Sequence, residues 1–236
     1  MKNTYGFTLI ELTISLAVIS IGIISIIVAS SLIKQSEIRA VIKEASLIEG
    51  IVAAFQAQYN SLPGDMSDAS FRIDGSAVNG DGDGGIIYNT EAGDNEGLQA
   101  WLHLSLANLI DRQFTGSGGS AIIGTNVLQS ELENANTGYY FDFVDDSNWY
   151  NSNVNLFILG RDDNTNMNDA SALSPTNALN IDTKIDDGIP NEGDVIANFG
   201  SAGSIGDCVN RTLPMQYVAS DSDELLCVIG FKIAID

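Results

Sequence analysis

Apolar residues fill the chain almost without a break from Phe7 to Ile33 and then thin to a single stripe. About 20 such residues are enough to cross a bilayer as a helix. Beyond the run, Ile38, Val41, Ile42, Ala45, Ile48, Val52, Phe55 and Tyr59 recur at steps of three and four, the period of a half-buried helix. Gly50 falls inside the stripe and weakens the helix there by about 1 kcal/mol, but the period carries through it. Ser61-Leu62-Pro63-Gly64 supplies the stop. The pattern therefore predicts one helix from Phe7 to Asn60, apolar all round in its first half and amphipathic in its second.

After Pro63 the signals shorten. A Gly/Asp-rich loop from Gly75 to Gly85 leads to a helix over Glu96–Arg112, with Leu98, Trp101, Leu102 and Leu109 turned inward. Aromatic and β-branched residues predict strands at Tyr139–Val144 and Val154–Leu159, and later at Val195–Phe199, Met215–Val218 and Leu225–Ile235. Ser174-Pro175 reads as an N-cap followed by Pro at the first helical position, opening a short helix toward Asp186. A long helix followed by mostly local strands predicts an α+β fold with an antiparallel sheet. The domain division expected is 1–6, 7–33, 34–60 and 61–236.

The net charge of −21 sharpens this division, because 27 of the 31 acidic residues and 6 of the 10 basic ones lie from Asn60 onward. Such a surface repels nucleic acid and anionic headgroups. Flanking charge does not orient the apolar run, since Lys2 precedes it while Lys34 and Arg39 follow it.

One carboxylate, Glu11, interrupts the apolar run, and no Lys or Arg within the run can pair with it. A lone acid at that depth costs about 2.5–3.5 kcal/mol on insertion scales, so its presence points to function. The run is longer than the apolar core of a secretory signal, and no A-x-A-like site follows it. A plain single-pass anchor accounts for the length but not for Glu11 or for Gly6 directly before Phe7. Gly6-Phe7-Thr8-Leu9-Ile10-Glu11 instead resembles the processing segment of type IV prepilins and type II secretion pseudopilins.

That resemblance implies cleavage between Gly6 and Phe7 and methylation of the new N-terminus by a prepilin peptidase. It implies that Glu11 neutralises the N-terminal amine of a neighbouring subunit in a homo- or heteropolymer of pilin-like chains. An inner-membrane platform protein and, indirectly, an assembly ATPase would be further partners. The expected location is the bacterial inner membrane, single-pass with a periplasmic C-terminal domain, and then a filament. The expected function is structural, in a secretion pseudopilus or alternatively a pilus for adhesion, motility or DNA uptake. From another class, a membrane-tethered calcium-binding adhesin or enzyme would keep Met1–Gly6. The segment departs from major subunits in lacking Pro anywhere from Phe7 to Leu62, which leaves a minor or tip subunit open.

Cys208 and Cys227 are the only cysteines. In a domain exported as the resemblance implies, one disulfide closing a loop of about 20 residues is expected, with two buried free thiols as the alternative.

Three acidic clusters could hold a hard cation. Asn79, Asp81 and Asp83 alternate with glycines as in the first half of an EF-hand-like loop, but position twelve falls on Thr90, with Glu91 one residue late. Asp182, Asp186 and Asp187 precede Asn191, Glu192 and Asp194, and major pseudopilins bind calcium in a C-terminal loop. Asp162, Asp163, Asn164, Asn166, Asn168 and Asp169 form the third. Calcium is the cofactor expected, and solvated Asx-turns are the competing reading for each cluster.

Catalytic constellations are missing. His103 is the single histidine, expected on a helix edge and satisfied by solvent or a carbonyl. There is no G-x-S-x-G elbow, and one His with two paired Cys cannot build the usual zinc site. Gly116-Ser117-Gly118-Gly119 lacks the strand, helix and Gly-Lys context of a phosphate loop. Carboxylates are too abundant for a pair to be diagnostic of glycoside hydrolysis.

Overall fold

The computed structural model describes residues 6, 8–89, 95–132, 136–145, 153–162, 170–200, 204, 206–210, 212–218 and 223–234. They form two compact units, divided between Arg39 and Ala40, and helix α1 (Leu9–Tyr59) contributes to both.

In the first unit α1 presents apolar side chains on every side, with Leu9, Ile14, Ile21 and Ile26 each more than half exposed. It is long and apolar enough to cross a membrane. Hydroxyls along it bond within the helix: Ser15, Ser20 and Ser25 each donate to the carbonyl four residues back, at 2.8 Å. Such internal bonding is what a helix in lipid requires, because no water is there to take a free hydroxyl.

In the second unit the C-terminal part of α1 buries Val41, Ala45, Ile48, Val52, Phe55 and Tyr59, the stripe read from the sequence. The helix ends where Asn60 takes a positive φ of 53°, a conformation Asn tolerates better than most residues. A four-residue helix α2 (Ala69–Arg72) follows, and then α3 (Glu96–Leu106). Helix α3 stops well short of Arg112. Asn108 turns to φ 56°, while Asn108 N bonds Ser105 O and Leu109 N bonds Leu104 O. This is a Schellman termination with Asn in the position usually held by Gly.

The sheet runs β1 (Leu128–Gln129), β2 (Thr137–Val144), β3 (Val154–Arg161), β7 (Cys227–Lys232) and β4 (Val195–Phe199), antiparallel throughout. Its register aligns Phe141, Phe157, Phe231 and Val195 in one row, and all four are fully buried. Trp101 of α3 sits on that row, 4.8 Å from the Phe141 ring between centroids, and its Nε1 donates to Tyr139 O at 2.8 Å. Tyr140, Ile158 and Ile196 line the opposite face and are buried as well. Helix α4 (Pro175–Ile185) packs against β4 and β7, and the Ser174 side chain caps it by accepting from Asn177 N at 3.3 Å. The fold is α+β, consistent with the pilin fold. The short strands β1 and β5 (Val209–Asn210) and helix α2 are absent from the sequence pattern because two to four residues carry no readable period.

A second sheet pairs β5 with β6 (Gln216–Tyr217). A disulfide from Cys208 to Cys227, with Cα atoms 5.0 Å apart, ties this hairpin to the start of β7. The two buried thiols of the alternative reading do not occur.

Asp142 of β2 makes the unit sensitive to pH. Burial pushes its pKa up to about 7 and Asp145 adds to the effect, while the Tyr88 and Phe143 amides oppose it. The unfolded carboxyl has its ordinary value of 3.8. Its contribution to stability is therefore complete below pH 3.8 and is lost as the pH rises through about 7. We expect the difference in unfolding free energy between Asp142→Asn and wild type to grow by about 4 kcal/mol, in favour of the variant, from pH 4 to pH 8. Chemical denaturation at the two pH values measures this, and a pH-independent difference would contradict it.

Candidate functional site

The N-terminal determinants lie at the start of α1. Gly6 is described and exposed, while Met1–Tyr5 and Phe7 lie outside the described residues. Thr8 and Glu11 form a capping box. Thr8 N and Thr8 Oγ donate to Glu11 Oε2 at 2.9 and 2.8 Å, and Glu11 N donates back to Thr8 Oγ at 3.3 Å. Thr-x-x-Glu is the spacing that satisfies orphan amides at a helix start. The carboxylate thus caps its own helix from an exposed position, within an otherwise apolar surface.

Asn79–Gly85 is held against the turn that ends α1. Gly64 has a φ of +91°, and a Cβ there would lie 2.4 Å from Glu96 O. Gly80 approaches so closely that a Cβ would lie 2.3 Å from Gly64 O. His103 locks the two segments together, accepting from Gly64 N at Nδ1 (2.9 Å) and so donating from Nε2 to Val78 O (2.7 Å). It is fully buried, not on a helix edge, and burial lowers its pKa, which keeps the ring neutral. The expected carbonyl partner is present. The edge position fails because the returning loop covers that side of α3.

Glu96, also buried, spends both oxygens on this loop, accepting from Asp81 N (3.0 Å) and Ile87 N (3.1 Å). Asn155 of β3 anchors the far end by accepting from Ile86 N and donating to Gly84 O. Within this frame the exposed carboxylates of Asp81 and Asp83 meet a third from Asp65, each with an oxygen within 4.8 Å of the others. Burial raises the Asp65 pKa, and Asp83 and Asp81 add to the shift against the amides of Gly84 and Gly82. Asn79 is engaged differently: its Oδ1 accepts from Ser70 N at 2.8 Å. Thr90 and Glu91 lie outside the described residues.

The second cluster, Asp182, Asp186 and Asp187, also gathers within 4.8 Å. Here the buried member is fully engaged. Asp182 accepts from Gly188 N at 3.0 Å through Oδ1 and from the Tyr217 hydroxyl at 2.7 Å through Oδ2, which joins α4 to β6. Asp186 accepts from Asp194 N and Val195 N, and Asp187 from Ile189 N. Of the third cluster, residues 163–169 lie outside the described residues.

Sequence reasoning missed two carboxylates. Glu44 of α1 is buried and accepts from Ser130 Oγ (2.7 Å), Glu131 N (2.6 Å) and Tyr139 OH (2.8 Å). Its position between Val41 and Ile48 on the apolar stripe was the available signal. Asp65 carried a fainter one, an acid directly after the Leu62-Pro63-Gly64 stop.

Against known proteins, residues 1–28 match the family described as the prokaryotic N-terminal methylation motif. The chain therefore carries a prepilin-type N-terminus, consistent with the type IV pilin-like family, and its apolar helix is of the kind that anchors such proteins in a membrane. Comparison with curated proteins and with solved structures gives no match.

Proposed function

We propose that this chain is a structural subunit of a type IV pilus-like filament, and within that class a type II secretion pseudopilin. The observation that carries the reading is Gly6-Phe7 followed by Glu11 at the head of an apolar helix, inside the matched 1–28 segment. An α+β head with a disulfide-tied C-terminal hairpin supports it. On this reading the subunit waits in the inner membrane with its head in the periplasm. Prepilin peptidase removes Met1–Gly6 and methylates Phe7. The platform protein and the ATPase behind it then drive the subunit into the polymer. The role is mechanical, so no bond in a substrate is made or broken by the head.

The physical basis of assembly is charge pairing in a medium that solvates charge poorly. Cleavage creates an amine on Phe7, and Glu11 of a neighbouring subunit is the group placed to neutralise it. That pairing favours a single axial stagger between subunits.

Intact-mass and N-terminal analysis of the protein from its native membrane tests the processing. The expected product begins at methylated Phe7. Retention of Met1, or a cut beyond Ile33, would refute the class.

A further inference from the structure

We propose that Asp65, Asp81 and Asp83 form a calcium site that staples the Asn79–Gly85 loop to the turn ending α1. The sequence motif alone brought Asp81 and Asp83 together, but an alternating acidic loop is common and proves nothing. The added observation is Asp65. Its side chain is 5 % exposed, Oδ2 accepts from Gly84 N at 3.2 Å, and Oδ1 makes no hydrogen bond, the Gly82 amide acting on the carboxylate without reaching bonding geometry. A buried carboxylate oxygen left unpaired loses its hydration without compensation, which native structures avoid. Here that carboxylate lies beside two further carboxylates, with ligand oxygens all within 4.8 Å. Two oxygens that share one calcium ion at 2.3–2.6 Å are at most about 5 Å apart, so the spacing fits.

Asp81 Oδ1 and Asp83 Oδ1 each accept a loop amide, from Asp83 N at 3.0 Å and Gly85 N at 2.8 Å, which leaves the second oxygen of each carboxylate, with Asp65 Oδ1, as the available donors. Glu96 has spent both oxygens on loop amides, and Asn79 Oδ1 serves Ser70 N. Arg72 lines the open depression beside Asp65 and Asp83, but it pairs with Asp68 at 3.7 Å and lies over the Tyr59 ring. The same depression opens to solvent, which supplies water for the remaining coordination positions. The donors are carboxylate oxygens without nitrogen or sulfur, which selects a hard cation. Loop-borne ligands suit the flexible geometry of calcium better than the strict octahedron of magnesium. The ligands come from both sides of the Gly64–Gly80 contact, so the ion would cross-link two chain segments rather than fill one loop. This goes beyond the filament reading and does not depend on it.

The test uses the full chain in detergent after removal of divalent ions with a chelator. Calcium chloride is titrated with thermal melting and calorimetry as readouts. Wild type is expected to gain about 8 °C in Tm at a hundredfold excess over its Kd. Magnesium at the same concentration is expected to bind at least tenfold more weakly. Asp83→Asn, at an exposed position, is expected to raise the calcium Kd at least tenfold without lowering the chelated Tm, because it removes a charge that repels buried Asp65. Asp65→Asn is expected to abolish the gain while raising the chelated Tm, because it removes an uncompensated buried charge. The proposal is overturned by no calcium shift in wild type. It is overturned equally by the same shift with magnesium, which would be general screening of the −21 charge, or by undiminished calcium affinity in both variants. Asp187→Asn serves as the control, and loss of binding there would place the ion in the second cluster and overturn the assignment.

Discussion

Glu11→Ala is expected to leave the chain in the membrane at its normal level and to reduce its incorporation into filaments at least tenfold. Insertion should not suffer, because removing the acid relieves about 2.5–3.5 kcal/mol of transfer cost. What the substitution removes is the carboxylate that caps Thr8 and that, on the proposed filament reading, would pair with the amine of the next subunit. Those two roles separate with Glu11→Gln. The amide oxygen can still accept from Thr8 N and Thr8 Oγ, so the capping box survives. The charge does not. If pairing with the amine drives assembly, Gln fails as Ala does; if helix capping is the requirement, Gln restores it. Fractionation of membranes and sheared filaments, with blotting for the chain, measures both pools. Wild-type incorporation of Glu11→Ala would sink the charge-pairing mechanism.

The second large effect is in the head. Glu44→Ala is expected to cost about 3–4 kcal/mol, enough to lower Tm by roughly 10 °C in a unit of this size. Three donors converge on this one carboxylate, and two of them, Ser130 Oγ and the Tyr139 hydroxyl, belong to buried residues. Truncation would strand both without water. Burial and the adjacent Glu44 raise the Tyr139 pKa well above its ordinary value, so the phenol remains a donor throughout the physiological range. Glu44→Gln keeps an acceptor oxygen and should cost about half as much. Tyr139→Phe removes one donor, and the double variant with Glu44→Ala should show a coupling of at least 1 kcal/mol. Chemical denaturation of the four proteins closes the cycle. A loss below 1 kcal/mol for Glu44→Ala would show that this carboxylate does not fasten α1 to β2.

These two carboxylates also mark how far the chain could be read before its structure. Both stand on α1, yet only Glu11 announced itself. An acid in an unbroken apolar run has no soluble alternative, whereas Glu44 sits on an amphipathic stretch rich in polar neighbours. Its burial depends on Tyr139 and Ser130, which are some ninety positions away and join it only when β2 pairs and packs. His103 shows the same limit in reverse. Its helix was legible, but the Gly64 and Val78 groups that enclose it come from a turn and a loop with no period to align them.

Strands β2, β3 and β4 were legible because aromatic and β-branched residues cluster there, and the Ser174-Pro175 cap located α4. Helix α3 was drawn too long, since Leu109 extends the apolar pattern past the Asn108 turn that ends it. In the acidic loop, local alternation picked out Asp81 and Asp83 but included Asn79 and passed over Asp65.

By itself the sequence determined the processing segment, the apolar anchor, the amphipathic stripe and the α+β class. Each is written in residues near one another, where periodicity or a short ordered motif is enough. Only the tertiary structure decided the sheet order, the Glu44 clamp, the burial of His103 and the meeting of Asp65 with Asp81 and Asp83. Those depend on contacts between distant segments, and the close approach at Gly64 and Gly80 that permits the last of them leaves no periodic trace along the chain.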